Sequence, residues 1–276
     1  MKIEVILTPA ELPALAKHDL RDAACVVFDV LRATSTFVTA LHNAAKAIVP
    51  VSEIAEALAI RERQPHVLLG GERDGVRIRA AQTGGIDFDL GNSPREYAPE
   101  TVRGRTVVST TTNGTRALRA CAGAKTVLAA SFLNLAATAK FVQNLQPAEL
   151  LLVCAGTREN VATEDVLAAG ALSELLIRWG ERTREPKTDQ DRQRSGSRVR
   201  SPHQKGIHDL SDSATTALAA WRKVERNLLA AVSEAENAKR LLAIPELCDD
   251  VAFCLQRDIF NLTAGLDTEG AVRILI

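Results

Sequence analysis

At 276 residues, with 34 Lys and Arg balanced by 34 Asp and Glu, the chain can bury a sizeable core and carries no net field that would draw it to nucleic acid or an anionic membrane. Its five cysteines, Cys25, Cys121, Cys154, Cys248 and Cys254, are odd in number, mostly inside apolar runs and without CxxC spacing, which fits reduced, buried thiols. No apolar run reaches signal-peptide or membrane length, so the expectation is a soluble, cytoplasmic protein whose partner is a small molecule rather than nucleic acid or a membrane, with self-association left open.

Lys2–Leu7 alternates as a first strand, and Pro9 and Pro13 carry the chain onward to the stretch VVFDVLRATSTFVTALHNAAK at 26–46. Val26, Val27, Phe28 and Val30 form an apolar, β-branched run of the kind that fills a parallel sheet buried on both faces. Thr34, Ser35 and Thr36 then read as helix N-cap residues, with Phe37, Val38, Leu41, Ala44 and Ala45 at helical spacing behind them. Asp29 and Arg32 sit at that joint, where unpaired amides also collect. This is a candidate anion site, and beside it stands a plainer reading, an Asp that caps turns and an Arg that pairs with it.

Ala47–Val51 is a short strand, a helix runs from Ser52 towards Arg63, and Val67–Leu69 is a strand ending in Gly70-Gly71-Glu72-Arg73-Asp74-Gly75. Residues 76–100 read as an irregular connection, with Asp87, Asp89, Asn92 and Ser93 before Pro94 as a turn and helix-start signal. Arg105–Ser109 is a strand feeding Thr110-Thr111-Thr112-Asn113-Gly114-Thr115 and a helix from about Arg116 to Cys121. Thr126–Ser131 and Leu135–Leu145 make the next strand and helix. Leu150–Cys154 then leads through Ala155-Gly156-Thr157-Arg158 to an acidic helix start, Thr163-Glu164-Asp165, and a helix to Trp179. Residues 181–209 hold Val199 and Ile207 as their sole aliphatics and are expected to be a disordered insert. Ser211–Ala231 reads as one long helix, Ser233–Ala243 as another, and Val272–Ile276 as the closing strand.

The alternation predicts an α/β fold, a mostly parallel or mixed sheet with helices on both faces and a helical C-terminal part: an α/β core over 1–180, the insert, and a completing segment over 210–276. Ligands bind such sheets outside the carboxyl ends of the strands. Asp29, Arg32, Glu72, Arg73, Asn113 and Arg158 all fall at those ends, so loops distant in sequence are expected to meet in one site.

The blocks DVLRATST (29–36), GER (71–73), FDLGNSP (88–94), TTTNGTRAL (110–118), CAGTRENVATED (154–165) and DDVAFCLQRD (249–258) resemble, in this order, the 2-phosphosulfolactate phosphatase family, which acts on the route to coenzyme M. The resemblance implies an Mg²⁺-dependent phosphatase of α/β fold acting on phosphate esters of 2-hydroxy acids. Asp29, Arg32, Glu72, Asn113 and Arg158 are then the candidate catalytic residues. Thr34, Ser35, Thr36, Arg73, Asn92, Ser93, Thr111, Thr112 and Gly114 are the candidate substrate contacts. Mg²⁺ takes oxygen ligands, here Asp29 with Glu72 or with the pair Glu164 and Asp165. Arg32 and the Thr111–Gly114 turn would hold phosphate, and Arg73 or Arg158 the acid group. SEAENAKRLL (233–242) replaces a Ser-His-Gly-Arg-like run, so Asn237 and Arg240 receive no role. Direct attack by water and a phospho-enzyme both stay open, as does a non-catalytic protein that binds the same acid ligand.

Overall fold

The computed structural model describes residues 1–15, 17–182 and 209–275. Its centre is one mixed sheet of eleven strands: β1 (Lys2–Ile6), β2 (Ala23–Phe28), β3 (Ala47–Pro50), β4 (Leu68–Arg73), β5 (Val76–Arg77), β6 (Thr106–Thr110), β7 (Thr126–Ala130), β8 (Glu149–Cys154), β9 (Asp209–Leu210), β10 (Thr263–Leu266) and β11 (Val272–Leu275). Their order is β5-β4-β6-β3-β11-β10-β7-β2-β8-β1-β9. β2 pairs in parallel with β7 and β8, β1 with β8, and β6 with β3 and β4, whereas the hairpin β10–β11 is wedged antiparallel between β7 and β3.

β2 shows why the sheet is covered twice. All six of its residues are buried. Ala24, Val26 and Phe28 enter one core and Cys25 and Val27 the other, the two-residue period of a strand with helices on both sides. The longer helices are α1 (Ala33–His42), α2 (Ile54–Arg63), α3 (Gly114–Ala120), α4 (Leu135–Leu145), α5 (Thr163–Arg182), α6 (Asp212–Val224), α7 (Leu228–Ser233), α8 (Glu236–Leu242) and α9 (Cys248–Cys254). The first core takes residues from α4 to α9, including Leu172 and Trp221. The second takes Phe37 and Leu41 of α1 and Ala117 and Leu118 of α3. A smaller cluster, with Leu69, Phe88 and Val108, lies under β4 and β6.

Several expectations shift. α1 begins at Ala33, before the three hydroxyl residues expected to cap it, because Asp29 caps the helix instead. Its Oδ1 accepts from the Ala33 amide at 3.1 Å and its carbonyl from the Thr34 amide at 2.9 Å. The expected helix 211–231 breaks at a 3₁₀ turn over Glu225–Asn227. β10 has no counterpart among the expected strands, since Thr-Ala-Gly-Leu has little strand pattern of its own. Residues 76–100 carry short pieces at Val76–Arg77, Ala80–Thr83, Pro94–Glu96 and Pro99–Val102. Residues 183–208 of the expected insert lie outside the described residues. No helix among those described is long and apolar enough to cross a membrane.

Candidate active site

A pocket opens where the loops after β2, β4, β6 and β8 meet, lined by Asp29, Leu31, Arg32, Glu72, Asp74, Gly75, Asn92, Thr112, Asn113, Thr157 and Arg158 together with Asn237, Arg240 and Leu241 from α8. All five candidate catalytic residues are thus brought to one place. The closeness is set by Gly114 at the start of α3: a Cβ there would stand 2.7 Å from Ala33 Cβ and 2.7 Å from Asp29 Oδ2, so a side chain would force the β6 and β2 loops apart.

Asp29 is buried and rigidly held. Its amide donates to Thr34 Oγ1 and its Oδ1 accepts from the Ala33 amide, while its Oδ2 accepts no hydrogen bond among the described residues. Burial, reinforced by the nearby charges of Glu72 and Glu164, pushes the carboxyl up to about 7 against the opposing Ala33 N–H and the Arg32 charge. Glu72, at the end of β4, has both oxygens engaged. Oε2 accepts from the Gly75 amide at 2.7 Å, and Oε1 from Thr112 through its amide at 2.9 Å and its hydroxyl at 3.0 Å. This carboxylate ties the β4 loop to the β6 loop.

Arg32 follows a cis peptide bond from Leu31 and is buried. Its Nη1 pairs with Asp250 Oδ2 at 2.8 Å and its Nη2 donates to the Gly75 carbonyl. Asp250, fully buried on α9, also accepts from Ser93 Oγ at 2.7 Å and Arg95 Nε at 3.1 Å. Arg32 therefore reaches the pocket as a neutralised, fixed donor rather than a free cation. Arg158, in contrast, is exposed, has a left-handed backbone (φ +56°) and makes no hydrogen bond or ion pair among the described residues.

The candidate substrate contacts divide. Asn92 and Thr112 line the pocket, and Asn92 Oδ1 is buried without a partner. Thr34, Ser35 and Thr36 do not. All three are buried, with hydroxyls tied to the Asp29 amide, the Val30 carbonyl and the Asn92 carbonyl, because starting α1 at Ala33 turns its first turn into the core. Ser93 holds Asp250, and Thr111 Oγ1 accepts from the Thr115 amide at 3.3 Å. Arg73 is absent from the pocket lining because successive strand residues face opposite ways: Glu72 points in, and Arg73 donates to Thr110 Oγ1 at 3.0 Å and to the Glu72 carbonyl at 2.7 Å.

The metal candidates also differ among themselves. Asp165 bridges two strand ends, its oxygens accepting from the Val30 amide at 2.8 Å and the Gly156 amide at 3.0 Å, while burial and the neighbouring Glu164 and Asp29 charges push its carboxyl well up. Glu164 is pushed up by burial, and its Oε2 is buried with no partner. Among the described residues no group of three or more His, Cys, Asp or Glu could hold a metal ion. Mg²⁺, however, commonly uses one or two protein carboxylates, with water and substrate phosphate completing its shell. Asp29 and Glu164, each with an oxygen that lacks a donor, fit that need best. Cys154 is a core residue of β8 whose thiol burial pushes well up, opposite to what a nucleophile requires.

Two residues given no role on sequence belong to the pocket. Asn237 Nδ2 donates to the Leu31 carbonyl and, at 2.9 Å, to Glu164 Oε1, and its Oδ1 accepts from Arg240 Nη2 at 2.7 Å. Their signal was the i, i+3 spacing of Asn and Arg on one face of a short helix. Asp250 lies within one of the resembling blocks, where its sequence neighbours give no sign of the distant arginine it pairs with.

Comparison with known proteins gives a concordant result. A family profile described as 2-phosphosulpholactate phosphatase matches residues 7–268. A protein of Caldanaerobacter subterraneus subsp. tengcongensis named probable 2-phosphosulfolactate phosphatase is 37% identical over 260 residues, covering 93% of this chain and 92% of its own. Proteins of the same name from Thermotoga petrophila and Nostoc punctiforme are 37% and 31% identical, covering 87% and 91% of this chain and 88% and 91% of their own.

Proposed function

The chain belongs to the 2-phosphosulfolactate phosphatase family, and from that premise we propose that the strand-end pocket hydrolyses the phosphate monoester of a small acidic 2-hydroxy acid, 2-phosphosulfolactate first among them, to sulfolactate and phosphate. Mg²⁺ dependence and a place on the route to coenzyme M are part of this reading. The observation that carries it is the meeting, in one pocket, of the buried residue Asp29, whose Oδ2 accepts no hydrogen bond among the described residues, and Arg158, with no ion-pair partner among them.

A phosphate monoester brings charge on three oxygens that must be stabilised as the ester bond lengthens. Asp29 and Glu164 would hold Mg²⁺, which when bound supplies divalent charge against those oxygens. Arg32, locked by Asp250, offers its remaining N–H groups without needing to reorganise. The Asn113 side chain and the Thr112 hydroxyl flank the same opening. Arg158 takes an acid group of the substrate, since a guanidinium meets carboxylate or sulfonate through two parallel hydrogen bonds. Asp29 acts in this reading as ligand rather than nucleophile: Leu31 stands where an aspartyl-phosphate phosphatase carries its second Asp, and here contributes its carbonyl to Asn237.

Phosphate release from 2-phosphosulfolactate and 2-phospholactate, measured with Mg²⁺ and with excess chelator, tests the proposal. Release that depends on Mg²⁺ supports it. Binding of the ester without release would instead assign the pocket to a non-catalytic acid-ligand protein.

A further inference from the structure

We infer that Arg240, on α8, is a specificity-determining residue that receives the second acid group of the substrate, a sulfonate, and is held in position by Asn237. The inference rests on the phosphatase reading of the same pocket. Three guanidinium groups line the opening, and they are not equivalent. Arg32 is neutralised by Asp250 at 2.8 Å. Arg158 stands at the end of β8, and Arg240 comes from α8. Neither of these two forms an ion pair with a carboxylate among the described residues. The Arg240 charge acts on Glu164 without a direct ion pair, so a substrate with a single acid group besides its phosphate would leave one of these cations with no directly paired acid, and a substrate with two would pair both.

Arg240 has the features of a receptor rather than of a solvated surface cation. Its Nε is buried and has no hydrogen-bond partner, an arrangement that is costly unless a ligand supplies the acceptor. Its Nη2 is oriented by Asn237 Oδ1 at 2.7 Å, and Asn237 in turn is fixed by the Leu31 carbonyl and Glu164. The guanidinium lies beside Gly75, where a Cβ would be 3.8 Å from Nε and 3.9 Å from Cζ, so the group packs against the β4 loop at the pocket wall. Of the substrate's two acid groups, the sulfonate spreads one charge over three oxygens and gives up its water more readily than a carboxylate. It is therefore the better match for a partly desolvated site.

The test separates binding from turnover. Sulfolactate and lactate, titrated by calorimetry into the full-length protein with Mg²⁺ and phosphate present, serve as probes that carry or lack the sulfonate. Wild-type protein is expected to bind sulfolactate more tightly than lactate by roughly 10–100-fold, the range of a charged hydrogen bond. Arg240→Gln, which keeps a donor towards Asn237 and loses the charge, should bring that ratio to within about threefold of unity, as should Arg240→Ala, with melting curves confirming that both variants fold. Kinetics on 2-phosphosulfolactate and 2-phospholactate should show the same collapse in the ratio of their kcat/KM values. A ratio that stays at the wild-type value in both variants, or a wild-type protein indifferent to the sulfonate, overturns the assignment of Arg240. Absence of phosphate release by wild-type protein, with the calorimetric preference intact, would overturn the phosphatase reading and leave Arg240 as a sulfonate receptor.

Discussion

At the scale of the residue, Asp29 carries the most consequence. Its carboxyl is raised to about 7, chiefly by burial, whereas in the unfolded chain it titrates near 3.8. The proton-bound form is the one the fold favours. The metal-free protein therefore holds this contribution to stability fully below about pH 4 and loses it as pH rises through about 7. A cation bound at Asp29 competes with that proton, so the rise in Tm caused by Mg²⁺ should grow between pH 5.5 and pH 8. A rise independent of pH would remove Asp29 from the metal site. Asp29→Asn keeps the volume, removes the charge, and should abolish Mg²⁺-dependent turnover with little loss of Tm, and near-normal turnover would return Asp29 to its capping role alone. For Arg158→Ala the expected result is a fall of roughly 10–100-fold in the preference for an acidic over a neutral phosphate ester. An equal loss on both esters would assign Arg158 to the phosphate. The five residues proposed as catalytic were legible because each lies at or just beyond a strand end. The inward turn of Thr34, Ser35 and Thr36 was not, because which residue caps α1 depends on where the Asp29 side chain goes, and periodicity does not record that.

At the scale of the element, the Arg32–Asp250 pair joins the turn before α1 to α9, over a separation of 218 residues. Breaking a buried pair from one side leaves the other charge uncompensated, at about 3–5 kcal/mol. Arg32→Ala and Asp250→Ala should each destabilise by about that amount in urea unfolding, and the double change by less than the sum. Strict additivity would mean that the two do not act as a pair. Gly114→Ala tests the other junction. The new methyl meets Ala33 and Asp29 and should cost about 1–3 kcal/mol along with activity, since the carboxylate must move. Elements with strong apolar period, such as β2, α4 and β8, could be read from sequence. The break at Glu225–Asn227 and the strand β10 could not, because each is imposed by packing partners elsewhere in the chain.

At the scale of the molecule, the alternation of strand and helix was enough to read the class of fold and the edge on which the loops converge, while of the antiparallel hairpin in mid-sheet β11 alone was legible, and its place between the two groups of parallel strands was not. Residues 183–208 return the chain from the end of α5 to β9, which pairs with β1 through Lys2 and Asp209. Replacing them by a short Gly/Ser linker should leave Tm and turnover nearly unchanged, given how few aliphatic side chains the stretch contains. A large fall in either would show that the segment packs on the fold or completes the site. The position of β10 and β11 has a consequence in time as well as in space. They join the group β5-β4-β6-β3 to the group β7-β2-β8-β1-β9, and both follow every other strand in the chain. During synthesis the two groups must wait, each with an unpaired inner edge, until residues 263–275 leave the ribosome. The nascent protein thus carries two half-sheets with open inner edges until that hairpin arrives to close them into one.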